Sequence, residues 1–303
     1  MLPNFLVIGA QRAGTTTIWH ALDRHPDIFM SPTRETAFFS NDHNFNRGPA
    51  FYETTFFHEW NGEAACGEKT PEYLLMPYAA ARIREVLGET VKLIALVRNP
   101  AERAHSGYRH SLMLGCEHLS FREALDAEPE RIARNPAALG RFGYQARSRY
   151  APQLARYYDL FPRENILVIF FDDLIANQNA VFDRVYQFLG VAPVPPGTPV
   201  EEGKARIGRA QVDPATNTVR FKGRTIRNPS PALLRFAEEY DRAVGMLAPL
   251  SPEEVVKINR TRFREDIEAL SRLTGRDLGA WLGEKPAVHV RPAPEGLAEP
   301  WRG

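Results

Sequence analysis

Apolar positions fall in short solid runs along the chain, and these runs alternate with stretches of helical period. Asn4 to Gly9 (NFLVIG) is apolar, rich in β-formers and stopped by a glycine, the pattern of a buried strand in a parallel sheet. Thr15 to His25 follows, with Ile18, Trp19 and Leu22 on one helical face. Lys92 to Val97 repeats the strand pattern and ends in Arg98-Asn99-Pro100. Ala101 to Leu114 repeats the helical one, with proline near its first turn. Asn165 to Phe171 (NILVIFF) is a third run. Asp172-Asp173 follow it, then a helix over Ala180 to Leu189 with Gly190 as its cap. Strands alternating with helices predict an α/β fold, a doubly wound parallel sheet flanked by helices.

From Ala192 to about Pro229 the period is lost. A loop or irregular hairpin is expected there, carrying Lys204, Arg206, Arg209, Arg220, Lys222, Arg224 and Arg227. Pro231 to Gly245 and Pro252 to Leu273 read as helices, and Asp277 to Leu282 as a last short turn. Prolines crowd the segment after Glu284, which predicts an extended tail. No internal repeat is present, so the expected organisation is one domain over 1–283 and a Pro-rich tail over 284–303.

Composition adds bounds rather than chemistry. The chain has 303 residues, 44% of them hydrophobic and 25% charged, enough for a sizeable core and against a disordered chain. Lys+Arg 38 against Asp+Glu 37 leaves +1, so no polyanion partner such as nucleic acid is expected. The two cysteines, Cys66 and Cys116, read as reduced thiols. No basic segment precedes an apolar one at the N-terminus, and no apolar run approaches the ~18 residues of a membrane span. A cytoplasmic protein is expected.

The chemistry begins after the first strand. Gly9-Ala10-Gln11-Arg12-Ala13-Gly14-Thr15-Thr16 has the spacing of a phosphate loop, set between a strand and a helix. Loop amides and the helix N-terminus favour an anion there, and Thr15, Thr16 and Thr17 add hydroxyl donors. The lysine of a nucleotide triphosphatase is missing, and a cation stands earlier, at Arg12. The strand Lys92 to Val97 ends in Arg98 rather than in an aspartate able to hold Mg²⁺. The loop therefore suits a phosphate managed by side-chain cations, with no metal required. In open α/β sheets ligands lie beyond the carboxyl ends of the strands, so Arg98 is expected in the same crevice. Ser106 would help it hold a second phosphate. Two other classes fit part of this pattern. One is a P-loop small-molecule kinase using ATP and Mg²⁺, with Asp172 or Asp173 on the metal. The other is a nucleotide-binding scaffold without turnover.

Phe5 to Thr17 (FLVIGAQRAGTTT) resembles the 5′-phosphosulfate loop of PAPS-dependent sulfotransferases, and Leu96 to His110 (LVRNPAERAHSGYRH) resembles their 3′-phosphate motif. The branch is that of the heparan sulfate N- and 3-O-sulfotransferases and their bacterial relatives. Weaker echoes run through Arg34 to Phe39, Gly67 to Tyr73 and Lys222-Gly223-Arg224. The resemblance implies a P-loop-like fold with acceptor-side insertions. It also implies PAPS (3′-phosphoadenosine 5′-phosphosulfate) as donor, PAP as product, and a glycan, glycolipid or small natural product as acceptor. Arg12 takes the place of the family's catalytic lysine. Ala13, Gly14, Thr15, Thr16 and Thr17 fall at the 5′-phosphate, Arg98 and Ser106 at the 3′-phosphate, and Lys222, Gly223 and Arg224 in a loop over the nucleotide. Glu35, before Ala37-Phe38-Phe39, falls at the general base, with burial among aromatics as a route to a raised pKa. Lys69 falls at the acceptor site. Glu68 is a second candidate base or the ion-pair partner of Lys69, and His110 a further candidate base. His105, Tyr108, Tyr150 and Trp19 read as packing or cleft wall.

Overall fold

In the computed structural model, which describes residues 2–194, 211–213, 218–221, 224–228, 230 and 247–284, the apolar runs become strands of one sheet. They are β1 (Phe5–Gly9), β2 (Ile28–Met30), β3 (Ala65–Lys69), β4 (Lys92–Val97) and β5 (Ile166–Phe170). All neighbours pair in parallel, in the order β2-β3-β1-β4-β5. Every residue of β1 and of β3 is buried, as a central strand covered on both faces must be.

The first half of the chain supplies the helices α1 (Thr15–Asp23), α2 (Asp42–Phe45), α3 (Gly48–Phe56) and α4 (Ala79–Leu87). After β4 come α5 (Pro100–Met113), α6 (Phe121–Arg134), α7 (Ala138–Phe142) and α8 (Tyr150–Tyr158). A further helix, Gln178–Leu189, ends on Gly190 in the left-handed conformation. After β1 the chain builds β2 and β3 on one side of it, then crosses to build β4 and β5 on the other. The strand order thus reverses between β1 and β4, and the crevice beyond their carboxyl ends is the natural ligand site of such a sheet.

The helix expected over Pro252 to Leu273 is two helices, Pro252–Ile258 and Arg264–Thr274, joined by a π-helical turn over Asn259–Phe263. That turn places Asn259, fully buried, beneath the start of α5. Its Oδ1 accepts from the Ala101 N–H at 3.0 Å, and its Nδ2 donates to Asn99 Oδ1 at 3.0 Å and to the Trp281 carbonyl at 2.8 Å. The first of these bonds satisfies a donor that the start of α5 otherwise leaves unpaired, and together they anchor the helix that carries Ser106 and His110. The buried apolar residues Ile258 and Phe263 stand five apart across this turn, a π rather than an α spacing.

Strands Gln211–Asp213, Thr218–Phe221 and Arg224–Arg227 form a small antiparallel sheet within the segment read as a loop or irregular hairpin. Lys222 and Gly223 lie outside the described residues, and of Arg224 only the backbone is described. Lys204, Arg206, Arg209, the helix expected over Pro231 to Gly245 and the tail beyond Glu284 also lie outside them. Cys66 and Cys116 are both free.

Candidate active site

The loop after β1 is shaped by its backbone. Gly14 precedes α1 at φ 94, in the region that favours glycine. A Cβ there would lie 2.7 Å from Leu174 Cδ2. No side chain caps α1, so its first N–H groups and its positive dipole end face the crevice. Arg12 also has a positive φ, 68. Its Nε donates to Ser106 Oγ on α5 at 3.1 Å, across 94 positions of sequence. Ser106 thus bonds to the loop after β1, and both it and Arg98 line the same cavity. Arg98, just past β4, turns its Nε and Nη2 onto Glu102 Oε2 at 3.1 and 3.0 Å and lies 4.5 Å over the Phe171 ring.

These residues line one cavity of about 480 Å³: Arg12, Gly14, Thr15, Thr16, Thr17, Arg98, Ser106, Glu35, Lys69 and His110 are all in its wall. Ala13 is the exception. It is buried in the core and its N–H donates to the Ala10 carbonyl at 3.2 Å. Arg12, Arg98 and the bare end of α1 thus open onto a single space.

β3 brings the third cation. Neighbouring residues of a strand face opposite sides of its sheet, and here that separates Glu68 from Lys69. The Lys69 side chain is 5% exposed, and its Nζ donates to Glu35 Oε1 at 2.6 Å. Glu35 itself is 53% exposed. The aromatics beside it, Phe38 and Phe39, are the residues that bury, so the expected desolvation of Glu35 does not occur.

Glu68 is neither a base in the cleft nor the partner of Lys69. It is fully buried on the far side of β3. Its Oε1 accepts from Tyr73 OH at 2.5 Å, Thr36 Oγ1 at 2.9 Å and Tyr52 OH at 3.0 Å, and its Oε2 accepts from Thr70 Oγ1 at 2.7 Å. Burial pushes its pKa up, and the hydroxyl donors pull it back. Thr36 follows Glu35 and Thr70 follows Lys69 in sequence, so this buried carboxylate ties together the two segments that carry the ion pair. Glu68→Ala is expected to leave buried hydroxyls without an acceptor, at about 1–3 kcal/mol each. Thermal unfolding checks this: the Tm should fall well below wild type, and an unchanged Tm would remove Glu68 from the scaffold of the site.

His110, on α5, has its pKa lowered by burial and by the nearby Arg12 charge. His20, which the sequence did not single out, also lines the cavity, and burial and Arg34 lower its pKa. His105 packs against Phe121, and burial pulls its pKa down to about 4. Tyr108 and Tyr150 are fully buried and Trp19 nearly so. A second cavity of about 490 Å³ adjoins the first, and Gln11 and His110 line both.

The aspartates that a kinase would need are engaged elsewhere. Asp172 accepts from Trp281 Nε1 at 2.9 Å, and Asp173 takes both terminal nitrogens of Arg276. Neither lines the cavity between Arg12 and Arg98. A kinase reading is not favoured.

A parallel sheet, a glycine loop and a cleft lined by Arg12, Lys69 and Arg98 define the class: a P-loop-like α/β protein. The sulfotransferase domain model matches residues 2–202, and the chain belongs to that family. It is 27% identical to mouse heparan sulfate glucosamine 3-O-sulfotransferase 6 over 282 residues, 91% of this chain and 73% of that one. It is 32% identical to human bifunctional heparan sulfate N-deacetylase/N-sulfotransferase 3 over 204 residues, spanning 63% of this chain but only 23% of the relative. The crystal structure of a sulfotransferase from Alicyclobacillus acidocaldarius superposes with a TM-score of 0.67 at 29% identity, covering 93% of this chain and 99% of that one. No helix among the described residues is long and apolar enough to cross a membrane.

Proposed function

We propose that the protein transfers a sulfuryl group from PAPS to a hydroxyl of a glycan or small-molecule acceptor. The observation that carries this reading is that Arg12, Arg98 and the uncapped end of α1 line a single cavity. Its cations, Arg12, Lys69 and Arg98, suit the two phosphates of the donor, and its volume suits one nucleotide. Arg98 would exchange Glu102 for the 3′-phosphate, because a guanidinium fork binds phosphate well. The N–H groups of Thr15 and Thr16, with their hydroxyls, would hold the 5′-phosphate.

The donor supplies an activated sulfuryl group. The acceptor oxygen bonds to sulfur as the bond from sulfur to the bridging oxygen breaks. Glu35 takes the acceptor proton, and Lys69 holds that carboxylate in place. Arg12 meets the charge that grows on the departing phosphate, a preorganised electrostatic role. Burial and the Arg12 charge favour the neutral form of His110, which stands where the two cavities meet, so it is the second candidate for the proton.

Calorimetric titration with adenosine 3′,5′-bisphosphate tests the donor. Binding is expected without added metal. Binding of ATP with Mg²⁺ and none of the bisphosphate would overturn the reading. If His110 takes the proton in place of Glu35, its lowered pKa sets the sign of the pH dependence. Turnover in Glu35→Gln would then stay level above pH ~6.5 and fall only below it, and His110→Asn in that background would abolish the residue of activity.

A further inference from the structure

Arg98 meets a carboxylate that the transfer step does not use. Glu102 stands four residues on, in the first turn of α5. Both guanidinium contacts, from Nε at 3.1 Å and from Nη2 at 3.0 Å, end on its Oε2. Among the described residues Glu102 is the only acid in ion-pair contact with Arg98. Nε and Nη2 form one edge of the guanidinium, a two-pronged fork of the kind that grips a phosphate. Glu102 therefore takes an edge that a phosphate would use, while the Phe171 ring lies 4.5 Å from the group.

The contact is fixed by the backbone. Asn99 caps α5 and accepts from the Glu102 N–H at 3.4 Å, and buried Asn259 holds Asn99 in turn. Residues 98 and 102 thus keep their separation, and only the Glu102 side chain can turn aside. The pair is partly exposed, at 23% for Arg98 and 42% for Glu102, and such pairs are weak. A carboxylate in the first turn of a helix also keeps the favourable field of the N-terminus after its cation has left it. Glu102 does not line the cavity, whereas Arg98 and Ser106, one turn further along α5, do. The guanidinium thus stands between a carboxylate outside the cavity and a ligand within it. A dianionic phosphate attracts Arg98 more strongly than Glu102 does, but it must break the pair and then lie near an unpaired carboxylate that repels it.

We propose that Glu102 is an internal competitor for Arg98 that sets the affinity for the 3′-phosphate, weakening the hold on donor and product alike. This rests on the sulfotransferase reading. A tighter grip would keep PAP in place after each transfer, and product release limits turnover in many enzymes. Glu102 returns to Arg98 as PAP departs, so the site lets its product go without a change of fold.

Calorimetry of wild type, Glu102→Gln and Glu102→Ala with two nucleotides tests this: PAP, and adenosine 5′-phosphate, which lacks the 3′-phosphate. Both variants should bind PAP about fivefold more tightly than wild type, the scale of a partly exposed ion pair, and adenosine 5′-phosphate no more tightly. A damaged fold weakens binding, so a gain confined to one nucleotide cannot come from damage. If one variant does not fold, the other carries the test. Unchanged PAP affinity would overturn the proposal, and so would a lower one, which would make the carboxylate a support for Arg98. An equal gain for both nucleotides would overturn it too, because it would reflect the net charge of the cleft rather than the contact with Arg98. A wild-type enzyme that binds no PAP overturns the donor assignment instead, so the two failures are distinct.

Discussion

Glu35→Gln is expected to lower kcat by ~10²–10⁴-fold, the contribution of a positioned general base, with little change in PAP affinity. The substitution keeps the shape of the side chain and an oxygen for Lys69 Nζ, which now lies 2.6 Å from Glu35 Oε1. What it removes is the ability to take a proton. Because the Glu35 side chain is 53% exposed, the fold should not depend on it, and the Tm should match wild type. That separates this variant from Glu68→Ala, one residue from Lys69, where the Tm carries the effect. Single-turnover rates with PAPS and calorimetry with PAP measure the two halves. A kcat near wild type would move the proton to His110.

Arg12→Ala is expected to cost ~10²–10³ in kcat, the loss found when one charge-stabilising donor is removed from a developing oxyanion. Arginine is a poor proton donor, with a pKa above ~12, so its proposed role is electrostatic and positional. The geometry agrees: the positive φ of 68 and the bond to Ser106 Oγ at 3.1 Å fix the guanidinium over the cleft. Arg12→Lys keeps the charge and loses the Nε bond to Ser106. It is expected to retain turnover within about tenfold of wild type, the scale of one hydrogen bond at ~1 kcal/mol. If both variants turned over at the wild-type rate with PAP binding intact, Arg12 would have no part in the chemistry.

Much of the cleft was legible in the sequence because it is built from local patterns. The strand from Asn4 to Gly9, the glycine at 14 and the helix from Thr15 lie within a few turns of one another. Their spacing states the loop directly. Arg98 was legible for the same reason, as the residue just past an apolar run. Glu68 was not. Its side chain meets Thr36, Tyr52, Thr70 and Tyr73, and the strand alternation that sends it away from Lys69 shows no apolar-polar contrast, since both residues are buried. The partner of Lys69 was missed too, because Glu35 lies 34 positions away. His20 carried no motif, and its place on α1 became a place in the cleft only once β3 lay beside β1.

By itself the sequence determined the alternation of strand and helix, the glycine loop and the candidates for the donor contacts. Backbone preference and apolar period act between near neighbours, so they can be read along the chain. Only the tertiary structure decided which charges meet. Ser106 met Arg12, Glu68 went behind the sheet, and Arg103 and Arg147 came to share a cavity wall. Those pairings follow from strand order and from which face each element buries, and both are settled by packing the whole core at once.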